Sequence, residues 1–393
     1  MFKLYHDVVT DVITISVYGD GYLDSSYSMQ VLITPSRPGP FKLISVNTTT
    51  LYEGQEDVIE AILQNTGYTA DDVSASAYST ISSDTYATVS SSTVSEGNYL
   101  YVYIYVTPNT AGSGVIKLSV TYTWPYTTNT YTDTFQFNVN VLANVAVNFA
   151  STNGGQVSTV ATINGQQTNN LWVMPGTYTI SVPSIVTVSN GVRYVFSHWS
   201  NGYGSSPTIS VNVENSMELT AYYTEQYYVS IVDQVTGKSI IGWFNGGSTL
   251  TLPTLPQYVS TGNGSRLVFQ EWSCGYPVSA TITVNSPINC TAEWIKQYNV
   301  AVNFASTNGG QVSTVATING QQTNNLWVMP GTYTISVPSI VTVSNGVRYV
   351  FSHWSNGYGS SPTISVNVEN SMELTAYYTE QYYVSIVDQV TGK

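Results

Sequence analysis

Thr208-Ile209-Ser210-Val211-Asn212-Val213 alternates β-branched apolar residues with small polar ones, and the same six residues return as Thr363-Ile364-Ser365-Val366-Asn367-Val368. Alternation of period two puts one face of a strand on a core and the other in water. Working outward, Val145, Val147 and Phe149 alternate with Ala146 and Asn148, and Tyr99 to Val106 and Thr132 to Val141 follow the same rule. Turn signals punctuate these runs: Asn153-Gly154-Gly155, Asn164-Gly165, Asn190-Gly191 and Asn263-Gly264. Asn-Gly suits the two-residue hairpin loop, where both positions need positive φ. No stretch holds a sustained helical spacing with caps. The chain reads as all-β, built of short antiparallel strands.

The second signal is repetition. Asn144 to Lys238 recurs unchanged as Asn299 to Lys393, an offset of 155 residues. An older repeat lies inside that period. Asn190-Gly191-Val192-Arg193-Tyr194-Val195-Phe196-Ser197-His198-Trp199-Ser200 aligns with Asn263-Gly264-Ser265-Arg266-Leu267-Val268-Phe269-Gln270-Glu271-Trp272-Ser273, Trp172 and Gly176 align with Trp243 and Gly247, and Thr220-Ala221 aligns with Thr291-Ala292. The expected modules are therefore 144–226, a diverged unit at 227–298, and 299–381 as a copy of the first. Residues 382–393 then open a further unit. Positions that survive divergence are expected to pack or turn the chain, so Trp172, Trp199, Trp243, Trp272, Trp327 and Trp354 are expected as core anchors. The opening segment of that further unit, with Tyr382, Tyr383, Val384 and Ile386, is expected to lack its hairpin partners and to be a candidate for pairing with another chain.

Upstream, residues 39–143 hold about seven strand candidates, the number expected of an immunoglobulin-like β-sandwich. Residues 1–38 hold two strand patterns, Val8 to Tyr18 and Ser26 to Thr34, read as a partial β domain or terminal strands with a linker around Ser36-Arg37-Pro38-Gly39-Pro40. Met1 to His6 is too short and polar for a signal peptide, so a secreted protein of this sequence is expected to be represented by a fragment. The whole is expected to be a tandem array of sandwich-type modules, extended head to tail, whose length grows with repeat number.

Composition narrows the function. Charged residues make up 8% of the 393 positions, against about 25% in an ordinary soluble domain. Their place is taken by Thr, Ser, Asn, Gln and 32 Tyr. Hydroxyls and amides keep their hydrogen bonds in acid, where carboxylates lose their charge. This suits an extracellular protein of a hot or acidic habitat, and equally a secreted β-repeat protein that is Thr- and Asn-rich whatever its habitat. A net charge of −13 with ten Lys and Arg excludes a nucleic-acid surface. No apolar run approaches the ~20 residues of a spanning helix, so no membrane span is expected. Cys274 and Cys290, the two cysteines, are expected to form a disulfide, with about 3 kcal/mol of stabilisation on the loop-entropy account. Asn47, Asn263 and Asn289 open sequons compatible with N-glycosylation.

Chemistry is sparse. His198 and His353 occupy one repeat position without neighbouring Cys, His or carboxylate clusters, and read as strand residues beside a core Trp; His6 stands apart. No nucleophile elbow, zinc, P-loop or dinucleotide fingerprint appears. No catalytic residue, metal or cofactor is expected, and the chain is not read as an enzyme. The loop Tyr122-Thr123-Trp124-Pro125-Tyr126 offers Trp124 and Tyr126 as candidate glycan contacts, the alternative being a hairpin end whose rings cover a sheet edge.

Two family resemblances complete the reading. Ala61-Ile62-Leu63-Gln64-Asn65-Thr66-Gly67 followed by Ala70-Asp71-Asp72-Val73 resembles immunoglobulin-like domains of archaeal S-layer-type and adhesion proteins. Phe196, Trp199 and Ser200 followed by Thr220, Ala221 and Tyr223, matched in the diverged unit by Phe269, Trp272, Ser273, Thr291, Ala292 and Trp294, resemble divergent internalin-type B repeats of surface proteins. These resemblances imply a secreted structural protein: a cell-surface stalk, an S-layer-associated component or a pilus-like filament subunit. Exposed edge strands offer a route to assembly by strand addition, so self-association or other cell-surface proteins are the expected partners. A glycan-binding adhesin and the non-catalytic tail of a large secreted hydrolase are the alternatives.

Overall fold

The computed structural model describes the backbone of residues 10–19, 22–32, 41–124, 128–344, 346–387 and 389–390, and side chains from residue 41 onward within these ranges. The chain is all-β, and the described strands form tandem sandwich-type modules. It divides into two compact units: unit 1 is 1–188 with 194–225, and unit 2 is 189–193 with 226–393.

Unit 1 opens with the antiparallel hairpin Thr10–Gly19 and Tyr22–Leu32. Its first sandwich packs a four-stranded sheet (Phe41–Val46, Asp57–Asn65, Tyr99–Val106, Thr85–Val89) on a sheet of Asp71–Ser79, Gly112–Thr123, Thr130–Ser151 and Thr50–Tyr52. Alternation fills the space between them with Ile59, Ala61, Leu63, Leu100, Val102, Ile104, Ile116, Leu118 and Val120. The next module begins inside the strand Thr130–Ser151, whose N-terminal part belongs to the first sandwich and whose C-terminal part pairs in parallel with Met217–Val232, Val145 facing Met217. The stretch Thr208–Val213 buries Ile209, Val211 and Val213 and exposes the residues between. Trp199 sits in the same core, 2% exposed, beside Ile180, Val211, Leu219 and Tyr223.

Unit 2 repeats the plan. Ile288–Ser306 ends the 227–298 module and opens the 299–381 module, where it pairs in parallel with Met372–Tyr382. Residues 299–381 rebuild the core of 144–226 around Trp354, Val366, Leu374 and Tyr378. The 227–298 core is smaller, set by Val229, Ile231, Leu252, Trp272, Ile282, Val284 and Cys290. Two features depart from the sequence reading. Two of the strands that pass from one module into the next are 22 and 19 residues long, because one strand serves two modules without a loop. Each 144-type module also closes by parallel pairing of its first and last strands. Periodicity of two identifies a strand and not its direction, so this pairing was beyond the pattern.

Candidate functional site: the module joint

No group of three or more His, Cys, Asp or Glu side chains is placed to hold a metal among the described residues. His198 stacks on Tyr222, 4.9 Å between ring centroids, and its Nδ1 lies 3.0 Å from Ser197 Oγ; His353 repeats this with Tyr377 and Ser352. Trp124, a candidate glycan contact with a hairpin-end role as the alternative, is placed by the structure away from solvent. Its ring is 1% exposed and stacks on Tyr68 at 5.6 Å, so the hairpin end turns it inward where burial of aromatic area is most favourable. Tyr126 lies outside the described residues. Asn47, Asn263 and Asn289 are all exposed, and Asn47 Oδ1 accepts the Glu60 backbone N–H.

The six repeat tryptophans, expected alike as core anchors, separate into two kinds. Trp199, Trp272 and Trp354 are buried, at 2%, 0% and 2% exposure. Trp172, Trp243 and Trp327 are only half-buried, and each meets a residue of a preceding turn. In unit 1, Tyr52 sets its ring edge on Trp172 at 5.0 Å, and the adjacent Glu53 carboxylate accepts the Ser216 N–H. In unit 2, the guanidinium of Arg193 lies 4.3 Å from the Trp243 ring and that of Arg266 lies 4.5 Å from the Trp327 ring. The same Arg266 is 5.1 Å from Tyr258 on its own hairpin.

The local sequence explains the geometry. Asn263 and Gly264, at φ 49° and 66°, make the two-residue turn that positive φ at both positions requires. Arg266 follows two residues later, directly opposite Gln297 on the neighbouring antiparallel strand. Gln297 Oε1 accepts from both Nε and Nη2 of Arg266, at 3.0 and 2.8 Å, and Gln226 Oε1 accepts from Arg193 Nε at 2.9 Å. The amide clamp fixes the plane of the guanidinium, and the plane stacks on Trp. The turn itself is packed: a Cβ on Gly191 would stand 2.9 Å from Pro287, and one on Gly264 would stand 2.7 Å from Ser371. The backbone carbonyls of both glycines accept the N–H of the linking strand, from Tyr228 and Asn299, each at 2.9 Å. The Asn-Gly-x-Arg alignment was visible in the sequence, yet nothing in a single sequence distinguishes an Arg that stacks on the next Trp from an exposed strand residue.

The 227–298 module carries two further anchors. Cys274 and Cys290 are joined as a disulfide, Cα–Cα 5.3 Å, with Cys290 fully buried. Asp233 is 1% exposed and accepts from the backbone N–H groups of Val235 and Thr236, each at 3.0 Å, and from Trp294 Nε1 at 2.8 Å. Burial alone would raise its pKa; the donors, with the Thr236 hydroxyl, outweigh burial and hold the carboxyl below the usual range. In the 144–226 module the place of Trp294 is taken by Tyr223, whose hydroxyl donates to the Pro183 carbonyl at 2.7 Å. Desolvation pushes that phenol up to about 12.

No family model matches the chain, and no curated protein matches it. Among solved structures, the TIE protein of Bacillus anthracis aligns over 89% of this chain and 76% of its own, with 11% identity and a TM-score of 0.28. Streptococcal SHIRT domains 3-4 from a cell surface protein align over 40% of this chain and 98% of theirs, with 11% identity and a TM-score of 0.17. The major pilin RrgB of Streptococcus pneumoniae aligns over 81% of this chain and 56% of its own, with 8% identity and a TM-score of 0.13. At these scores the superpositions are poor, and the fold rests on the chain's own sheets. No helix among the described residues is long and apolar enough to cross a membrane.

Proposed function

We propose that the protein is a structural component of a cell surface, a stalk or filament whose working parts are its module joints. The observation that carries this reading is the recurrence of one joint at Arg193–Trp243 and Arg266–Trp327, with one strand, Ile288–Ser306, serving both modules at the second in place of a flexible linker. A linker of one continuous strand resists bending, and an Arg-on-Trp contact clamped by an amide resists rotation. Because the clamp is Gln rather than a carboxylate, acid leaves its hydrogen bonds intact. That fits the uncharged polar surface, and an S-layer-associated or pilus-like setting in an acidic habitat is the finer form of the proposal. Electron microscopy of the purified chain tests it: thin rods of constant length are expected, and Arg266→Ala with Trp327→Ala is expected to bend them at one place. Compact particles, or rods indifferent to the double change, would refute the role of the joint.

A second reading has one specific support. Tyr99, Tyr101, Tyr103 and Tyr105 all point outward along one strand, with Tyr99 51% and Tyr101 39% exposed, and Tyr86 stacks on Tyr105 at 4.8 Å and 8°. A flat aromatic face with hydroxyl rims is suited to neutral sugar rings. A glycan array run with the chain and with Tyr99→Ala/Tyr101→Ala separates this adhesin reading from a purely structural one.

A further inference from the structure

The turn that makes the joint occurs a third time, at Gly346 and Arg348, and there nothing covers it among the described residues. Internally it is complete. Arg348 Nε donates to Gln381 Oε1 at 2.9 Å, and the Tyr383 N–H donates to the Gly346 carbonyl at 2.7 Å, as in the two joints above. What differs is the outside. Arg193, Gln226, Arg266 and Gln297 are half-buried, whereas Arg348 and Gln381 are exposed. Among the described residues a Cβ on Gly346 would meet only Tyr383, at 3.8 Å, where its counterparts press on Pro287 and Ser371. A cleft of about 340 Å³ opens beside it, lined by Thr342, Ser344, Gly346, Arg348, Gln381 and Tyr383.

The adjoining strand tells the same story. Residues 382–387 repeat 227–232 letter for letter. Val229 and Ile231 are fully buried, held between Ser239–Asn245 on one side and the start of Ile288–Ser306 on the other. Their copies Val384 and Ile386 are 74% and 91% exposed. Among the described residues the same letters are thus buried in one copy and exposed in the other.

We infer that Gly346, Arg348 and Gln381, with Tyr383 to Ile386, form the receiving half of a module joint whose occupant is a β-module of the sequence 239–298, its Trp243-type ring stacking on Arg348. This deepens the structural reading: the surface would let the array grow by one defined kind of module and reject the 144-type, which has no strands matched to Val384 and Ile386.

The test appends a copy of residues 239–298 after Lys393 and places a single reporter thiol at Ile386→Cys, with Val384→Cys as the second position. Thiol labelling reads burial site by site, which the identical repeats would otherwise confuse. Labelling at 386 is expected to slow at least about 100-fold on extension, to the rate seen for Ile231→Cys. In the extended chain Arg348→Ala is expected to lower the labelling protection several-fold, and Arg348→Lys nearly as much, since the stacking plane is lost in both. Labelling as fast in the extended as in the 393-residue chain overturns the inference. So does protection that ignores both Arg348 changes, or protection in the 393-residue chain that rises with its concentration, which would mean the strand pairs with its own copy. Rods seen by microscopy alongside any of these failures would leave the stalk reading standing while removing this one.

Discussion

The modules 144–226 and 227–298 share landmarks and register but are stabilised differently. The first fills its core with Val211, Val213, Leu219 and Tyr223, and its Trp199 donates an indole N–H to the Ser206 carbonyl at 2.8 Å. The second has a smaller core, puts the disulfide where the first has Asn201 and Leu219, and gives the buried Trp272 N–H no hydrogen-bond partner among the described residues. Once hydrophobic area shrinks, a covalent staple and a buried carboxylate take over part of the work, and each brings a sensitivity that the larger core lacks. The scaffold tolerates this because the landmarks that survive, Gly at the turn and Arg and Trp at the joint, connect modules as well as fill them.

The largest expected effect tests the staple. Cys274→Ala with Cys290→Val removes the disulfide without burying a hydroxyl. Closing a loop with a sequence separation of 16 is worth about 3 kcal/mol on the chain-entropy account. Hydrogen exchange in residues 239–298, whose sequence is unique in the chain, is expected to accelerate accordingly. The 144–226 and 299–381 modules should keep their protection. Equal loss in all three modules would show one cooperative unit and dissolve the comparison.

Next comes pH, where the two modules should fail at opposite ends. Asp233 has a lowered pKa in the folded state, so its contribution is complete above the unfolded carboxylate value, about 3.9, and is lost as pH falls through the folded one. Tyr223 and Tyr378 have pKa values pushed up to about 12. Their contribution is complete below the unfolded phenol value, about 10, and is lost as pH rises toward 12. Unfolding followed from pH 5 to pH 2 should weaken 239–298 first, and Asp233→Asn should flatten that dependence at a cost in stability near pH 7. From pH 9 to pH 12 the order should reverse. The Arg–Gln clamps carry no carboxylate and so suit the acid indifference expected from composition, whereas the Glu53 carboxylate at the first joint and the buried Asp133 and Asp233 do not.

A smaller effect separates the two core tryptophans. Trp199→Phe leaves a gap and strips the Ser206 carbonyl of its donor, whereas Trp272→Phe leaves a gap and removes an unpaired buried N–H. An unmade buried hydrogen bond costs about 1–3 kcal/mol and a made one contributes about 1 kcal/mol. The change at 272 is therefore expected to be milder by about 2 kcal/mol in denaturant midpoints converted to free energy.

What the sequence made legible was set by periodicity. Alternation gave the strands and the core faces, as Thr208–Val213 shows, and duplication located the modules. What stayed hidden depends on contacts between segments that no period reports. Trp172 and Trp199 recur with equal fidelity, yet one meets Tyr52 across a joint and the other is a core residue. Trp124 looked like a loop aromatic because Pro125 follows it in the sequence, but packing on Tyr68 decides its direction.

The finest prediction uses the turn glycines, where two positions share a backbone and differ in their surroundings. Gly264 and Gly346 sit at φ 66° and 83°, so an alanine at either suffers the same left-handed penalty of about 1 kcal/mol. At Gly346 the new methyl meets Tyr383 at an ordinary 3.8 Å, whereas at Gly264 it meets Ser371 at 2.7 Å, and the Ser371 hydroxyl already donates to the Asn263 carbonyl at 2.6 Å. Gly264→Ala is therefore expected to cost more than Gly346→Ala, the excess measuring how tightly one joint is closed. Thermal midpoints of the two single variants give the difference directly. If they coincide, Ser371 moves aside freely and the joint is looser than its packing implies; if Gly346→Ala is the costlier, the third turn is already covered in solution and the contrast between closed and open joints fails.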